Sequence, residues 1–223
     1  MRFTTVTAAL SAMSVASAHF LVEYPYWRGD SFEEGASQWI FPCANISETE
    51  DVNNRTQWPA TGGSIKLDVH HPWALTYVNL GIGTNVSAFN ISLVSNFNQT
   101  GNGTFCLKET GKAKLAAGLA AAGLNASSVD GKQASLQIIQ IASTGASLYN
   151  CADITFNATA ALLADDECSN STGVAGVSIQ NVNANGTSTA PPSSSSSPGA
   201  AANVRPMVGG SLIAGLVGLA VLL

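Results

Sequence analysis

The chain has 223 residues, of which 46% are hydrophobic and only 10% charged, and its formal net charge is −5. Nine basic residues against fourteen acidic ones, with no basic cluster, exclude nucleic acid as a partner. The negative field favours cations instead.

The first segment reads as a secretory signal. Arg2 supplies the basic start, Val6 to Val15 the apolar stretch, and Ala16-Ser17-Ala18 the small-residue exit. Cleavage after Ala18 makes His19 the first residue of the mature chain, with a free α-amino group beside its own imidazole. Those two nitrogens can close a chelate ring on one metal. An amine with imidazoles in a tetragonal arrangement suits Cu(II). The plain alternative is that the mature chain merely begins there. Only three histidines occur, His19, His70 and His71, so one at the cleavage point brings the metal reading level with that alternative.

The central segments alternate as strands. Ser64 to His71 places Ile65, Leu67, Val69 and His71 on one face, and further strands are expected at Ala74–Leu80, Ala88–Val94, Gly103–Leu107, Leu136–Ile141 and Ala152–Phe156. Lys112 to Leu124 is Ala/Leu-rich and predicts a short helix on the sandwich edge. Short alternating strands separated by Gly/Asn/Ser turns predict an all-β domain, an immunoglobulin or fibronectin III-like β-sandwich.

Four cysteines in a secreted chain imply two disulfides. Sequence does not choose among the three pairings. The preferred one joins Cys43 to Cys151 and Cys106 to Cys168, tying early segments to late ones. Asn-x-Ser/Thr triplets begin at Asn45, Asn54, Asn85, Asn90, Asn98, Asn102, Asn125, Asn157, Asn170 and Asn185, marking candidate N-glycosylation sites.

The C-terminal part reads as a stalk and an anchor signal. Residues 171–203 are rich in Ser, Thr and Pro, including Ser193 to Ser197, and cannot bury a core. Met207 to Leu223 is apolar, with small residues and a short spacer upstream, the pattern of a glycosylphosphatidylinositol signal whose tail, 204–223, is removed. The alternative is one membrane-spanning helix, for which about 17 residues is the lower limit. The folded domain is then 19–170. Losing Arg2 and Arg205 with the two signals takes the net charge from −5 to −7.

His71 ends a strand at the sandwich rim and faces the way of Leu67 and Val69, so it is preferred to the outward His70 as the second imidazole. Asp153 follows Cys151-Ala152 and would add a hard anionic donor, which favours Cu(II) over Cu(I). Its plain alternative is an aspartate that caps a turn or pairs with a base. Glu23 and Asp30 are further carboxylates near the mature N-terminus.

These residues carry a resemblance. His19-Phe20-Leu21-Val22-Glu23-Tyr24-Pro25-Tyr26-Trp27-Arg28-Gly29 resembles the mature start of the fungal copper-acquisition-factor family, cell-surface relatives of lytic polysaccharide monooxygenases. Pro42-Cys43, Arg55-Thr56-Gln57-Trp58-Pro59-Ala60-Thr61-Gly62-Gly63 and Tyr149-Asn150-Cys151-Ala152-Asp153-Ile154 fit it in order. The resemblance implies an immunoglobulin-like sandwich with one Cu(2+) per chain on His19, His71 and Asp153. It also implies copper handling without oxidative cleavage of polysaccharides. The expected partners are copper and a plasma-membrane copper importer, with the monomer held to the membrane only through its lipid anchor. The location expected is the extracellular face of the plasma membrane or the cell wall. Two other functions are weighed against this one. A copper monooxygenase would need a flat glycan-binding face, to which Trp27, Trp39, Trp58 and Trp73 could contribute. A metal-free wall glycoprotein would need only the stalk and glycans. No Ser-His-Asp or Cys-His arrangement can be assembled.

Overall fold

The structure is a computed structural model that describes residues 19–180. The expected signal peptide, most of the stalk, Asn185 and the anchor signal lie outside the described residues.

Two sheets face each other. The smaller is antiparallel and contains β1 (Phe20–Tyr24), β3 (Ile65–Val69) and β6 (Gly103–Leu107), with β3 in the middle. The larger has six strands. They are β2 (Thr56–Trp58), β4 (Trp73–Ile82), β5 (Ile91–Thr100), β7 (Gln133–Ala142), β8 (Ser147–Phe156) and β9 (Ala175–Ser178). Their spatial order is β2-β8-β7-β4-β5-β9. Every pair is antiparallel except β2 with β8.

Alternation explains the core. Phe20 and Val22 of β1, and Ile65, Leu67 and Val69 of β3, turn inward onto Val78, Leu80, Leu136, Ile138 and Ile154 of the larger sheet. Each fully buried aliphatic or aromatic side chain contributes about 1.5–3 kcal/mol relative to exposure. The architecture is the expected β-sandwich with one short helix. That helix, α1 (Lys112–Ala121), packs on β5 through Leu115 and Leu119. A Cβ on its Gly118 would meet Ile91 at 2.5 Å, so the small residue sets how closely α1 approaches.

Both disulfides pair as preferred, Cys43 with Cys151 and Cys106 with Cys168. The first ties the long 25–55 segment to β8, and the second ties β6 to the C-terminal segment. The quoted Trp58 run is a packing device. The Trp58 indole donates to Ser64 O at 3.0 Å, and a Cβ at Gly63 would meet its ring at 2.4 Å.

Several elements differ from the expectations. β1, β2 and β9 add to the expected strands; they are short and stand at sheet edges, where local alternation is weak. β9, of small residues, pairs with β5 beyond residue 170. β3 stops at Val69, since the chain must leave the smaller sheet there to enter β4 of the larger one. β5 runs on through polar residues to Thr100 because neighbours on both sides, β4 and β9, take up its backbone groups.

Candidate metal site at the mature N-terminus

The β3–β4 crossing brings the histidines together. In the β1–β3 register Phe20 lies opposite Val69, and His70 N donates to His19 O at 3.1 Å. His71 is the next residue, in the turn between the two sheets. It is 2% exposed, whereas His70 is exposed and its Nε2 lies 3.0 Å from Asp68 Oδ2. The preference for His71 as the inward imidazole rests on the same alternation that buries Leu67 and Val69.

His71 Nε2 is buried and has no hydrogen-bond partner. A buried polar nitrogen left unpaired costs about 1–3 kcal/mol. Such an atom in a chain with few histidines is the kind of donor that a metal would satisfy. The His70 N to His19 O bond sets His19 one residue away from it across the β1–β3 register. Burial, followed by the charges of His19 and His70, lowers the His71 pKa below its ordinary value. Burial and then His70 lower that of His19. The His19 ring meets Phe32 edge-on, with centroids 5.0 Å apart. Both imidazoles are thus kept neutral, the form that binds metal.

That has a consequence for stability. An unfolded histidine titrates near 6.5. Below that value the unfolded chain takes up protons that the folded chain, with both pKa values lowered, does not. The metal-free protein therefore keeps this contribution above about pH 6.5 and loses it as pH falls from there through the lowered folded values. Urea midpoints of metal-free protein at pH 7.5 and 5.5 should show a drop that is smaller in His71→Gln. Equal drops would contradict the assignment.

Asp153 is placed elsewhere. Its carboxylate is 1% exposed and accepts five hydrogen bonds. Arg28 Nε reaches both oxygens at 3.1 Å, Arg28 Nη2 reaches Oδ1 at 2.7 Å, Ser135 Oγ donates to Oδ1 at 2.7 Å, and Thr49 N to Oδ2 at 3.0 Å. The network continues through Glu48, which pairs with the buried Arg55 at 2.7 Å and accepts from Val86 N at 2.6 Å. The reason is register. Trp27 pairs with Ala152 and Arg28 N donates to Cys151 O, so Arg28 arrives beside Asp153. The histidine end of β1 instead meets Asn150, three residues or roughly 10 Å back along β8. Among the described residues, no group of three or more His, Cys, Asp and Glu is arranged to hold a metal. The backbone therefore sets His19 against His70, the neighbour of His71, and Asp153 stands apart with Arg28. The other two carboxylates are also engaged. Glu23 pairs with Lys66 at 3.2 Å, and Asp30 accepts from Phe32 N.

The chain matches the family described as "Copper acquisition factor BIM1-like" over residues 17–173. It belongs to that family. Membership connects its function with copper, and the orphaned His71 Nε2 beside His19 fits that metal. A Neurospora crassa protein named lytic polysaccharide monooxygenase-like protein ham-7 is 32% identical over 204 residues, covering 81% of this chain and 83% of its own. An Emericella nidulans protein named lytic polysaccharide monooxygenase-like protein is 30% identical, over 68% of this chain and 70% of its own. A third relative, from Hypocrea jecorina and named lytic polysaccharide monooxygenase-like protein X325, is 33% identical over 68% of each chain.

Sequence reasoning did not single out Arg28, Glu48, Arg55, Ser135, Gln38 or Asn150. Arg28, Arg55 and Asn150 stood inside the quoted runs. Two arginines in a chain with few basic residues were the available signal of a buried ion-pair network. The tryptophans divide as cores and surfaces do. Trp58 is buried and Trp27 packs on the core, whereas Trp39 and Trp73 are exposed.

Proposed function

We propose that this chain is a Cu(II)-binding protein of the cell surface, one copper per chain, that captures the ion outside the cell and passes it to a plasma-membrane importer. The donors are the His19 amine, freed by cleavage after Ala18, the His19 ring and His71 Nε2. The observation that carries this reading is the buried, unpartnered His71 Nε2 beside His19. Asp153 is not among the donors. With Arg28 it fixes the 25–28 segment on β8.

The chemistry is coordination, with copper as cargo. The amine, ordinarily of pKa about 7.7–8.0, must lose its proton on binding. Affinity therefore falls about tenfold per pH unit below that range. The lowered imidazoles compete with protons at a lower pH than ordinary histidines would, so the amine is the first donor that acidification takes away. A lipid anchor following residue 203 would keep the protein on the outer membrane face, or in the wall, as a monomer. Of the candidate glycosylation sites, Asn45, Asn54, Asn85, Asn90, Asn102, Asn125 and Asn170 are exposed, and Asn98 and Asn157 are half-buried. Glycans at the exposed positions would shield the body of the sandwich.

The test is equilibrium dialysis of Cu(II) against the secreted protein. One copper per chain is expected, with tight binding lost in His19→Ala. Retention of tight binding by that variant would remove the site. The names of the relatives support a second reading, a copper monooxygenase. Oxidised products from glucan or chitin with reductant present would establish it in place of capture.

A further inference from the structure

We infer that Gln38, aimed by Ser31 and assisted by Asn150, is the positioning residue of the copper site, fixing the backbone of His19 relative to His71. This rests on the proposed histidine site.

β1 is an edge strand of the smaller sheet, bonded to β3 on one side only. Backbone groups in a strand alternate between its two edges. His19 O points to β3 and accepts from His70 N. Phe20 N and O point the other way, where no strand follows and burial leaves no water. Gln38 meets both. Its Oε1 accepts from Phe20 N at 3.3 Å and its Nε2 donates to Phe20 O at 2.8 Å, imitating a neighbouring strand with one side chain. Asn150 Nδ2 donates to the same Phe20 O at 2.8 Å. The peptide unit between His19 and Phe20 is thereby held at both ends, its carbonyl by His70 and its N–H by Gln38.

Gln38 is itself fixed. It is 1% exposed, its second amide hydrogen goes to Ser31 Oγ at 2.9 Å, and its backbone carbonyl accepts from Tyr149 N at 2.7 Å. A first residue of a chain ordinarily frays. A chelate that uses the amine and ring of that residue together with His71 needs it held in place before the ion arrives. Outer-shell groups that orient metal ligands typically contribute 10- to 100-fold in affinity, and this side chain holds the peptide that follows the one ligand the chain terminus would otherwise leave loose.

The experiment compares the secreted wild type with Gln38→Leu, Ser31→Ala and Trp58→Phe, reading Cu(II) affinity by chelator competition, the Cu(II) electron paramagnetic resonance spectrum and metal-free unfolding temperature. Trp58→Phe is the stability control, since it loosens the core at the far end of β3 from His71. Gln38→Leu should bind copper about tenfold more weakly or worse, with a changed copper hyperfine splitting. Ser31→Ala, which leaves the fold less disturbed, should move both readings the same way by less. Trp58→Phe should lower the unfolding temperature and leave the copper spectrum unchanged. If Gln38→Leu fails to fold, Ser31→Ala carries the test alone. A wild-type copper spectrum and affinity in the Gln38 and Ser31 variants would overturn the positioning role and leave the histidine site standing. A wild type that takes up no copper would overturn both.

Discussion

Arg28→Ala destabilises the metal-free protein by about 3–5 kcal/mol, the usual cost of leaving one member of a buried ion pair alone. Arg28 and Asp153 are 5% and 1% exposed at the side chain and 2.7 Å apart. Removing the guanidinium strands the Asp153 carboxylate, with Ser135 Oγ and Thr49 N as its remaining donors. Domains of this size are stable by about 5–15 kcal/mol in total, so the loss is a fifth or more of the whole. At roughly 2–4 °C per kcal/mol, thermal unfolding should fall by about 10 °C. Arg28→Met combined with Asp153→Leu should cost less than either Arg28→Ala or Asp153→Ala, because no lone charge is left buried. A double variant as unstable as the sum of the singles would mean that the pair is not the unit. Asp153→Asn should keep the copper spectrum of the wild type, since Asp153 stands with Arg28 and not with the histidines.

His71→Ala weakens Cu(II) binding by more than about 100-fold, beyond the usual effect of an outer-shell change. It does so without a comparable loss of metal-free stability. The imidazole is buried, yet its Nε2 bonds to nothing in the protein, so truncation gives up packing but removes an unsatisfied polar atom as well. A ligand kept for metal binding has this profile, and a structural histidine has the reverse. His70→Ala should change affinity little, because His70 is exposed and faces Asp68. Isothermal titration of the two variants beside the wild type measures the difference. A larger loss in His70→Ala than in His71→Ala would exchange their roles.

What the sequence made legible follows from where each signal lives. Alternation is local. It therefore showed β3, β4, β6 and the inward face of His71, each decided within a few residues. The ends of β5 and β8 and the existence of β1, β2 and β9 depend on partners distant in sequence, which no local pattern carries. The disulfide Cys43–Cys151 was a preference among three pairings until the fold brought the 25–55 segment onto β8. Asp153 shows the limit most sharply. Its place after Cys151-Ala152 at the head of an apolar run was visible. Whether it faces His19 or Arg28 depends on the Trp27–Ala152 register, a long-range fact. Gln38 was hidden for a related reason, because a buried glutamine that completes an edge strand looks in sequence like any loop residue.

The measurement closest to the central claim is nitrogen hyperfine structure on Cu(II) bound to secreted protein, with the N-terminus read on the same sample by mass spectrometry. The account predicts a chain that begins at His19, one copper, and coupling to the amine nitrogen and two imidazoles, with the His71 contribution lost in His71→Ala. A chain confirmed to begin at His19 that binds no stoichiometric copper, or binds it with His71 silent, would contradict it.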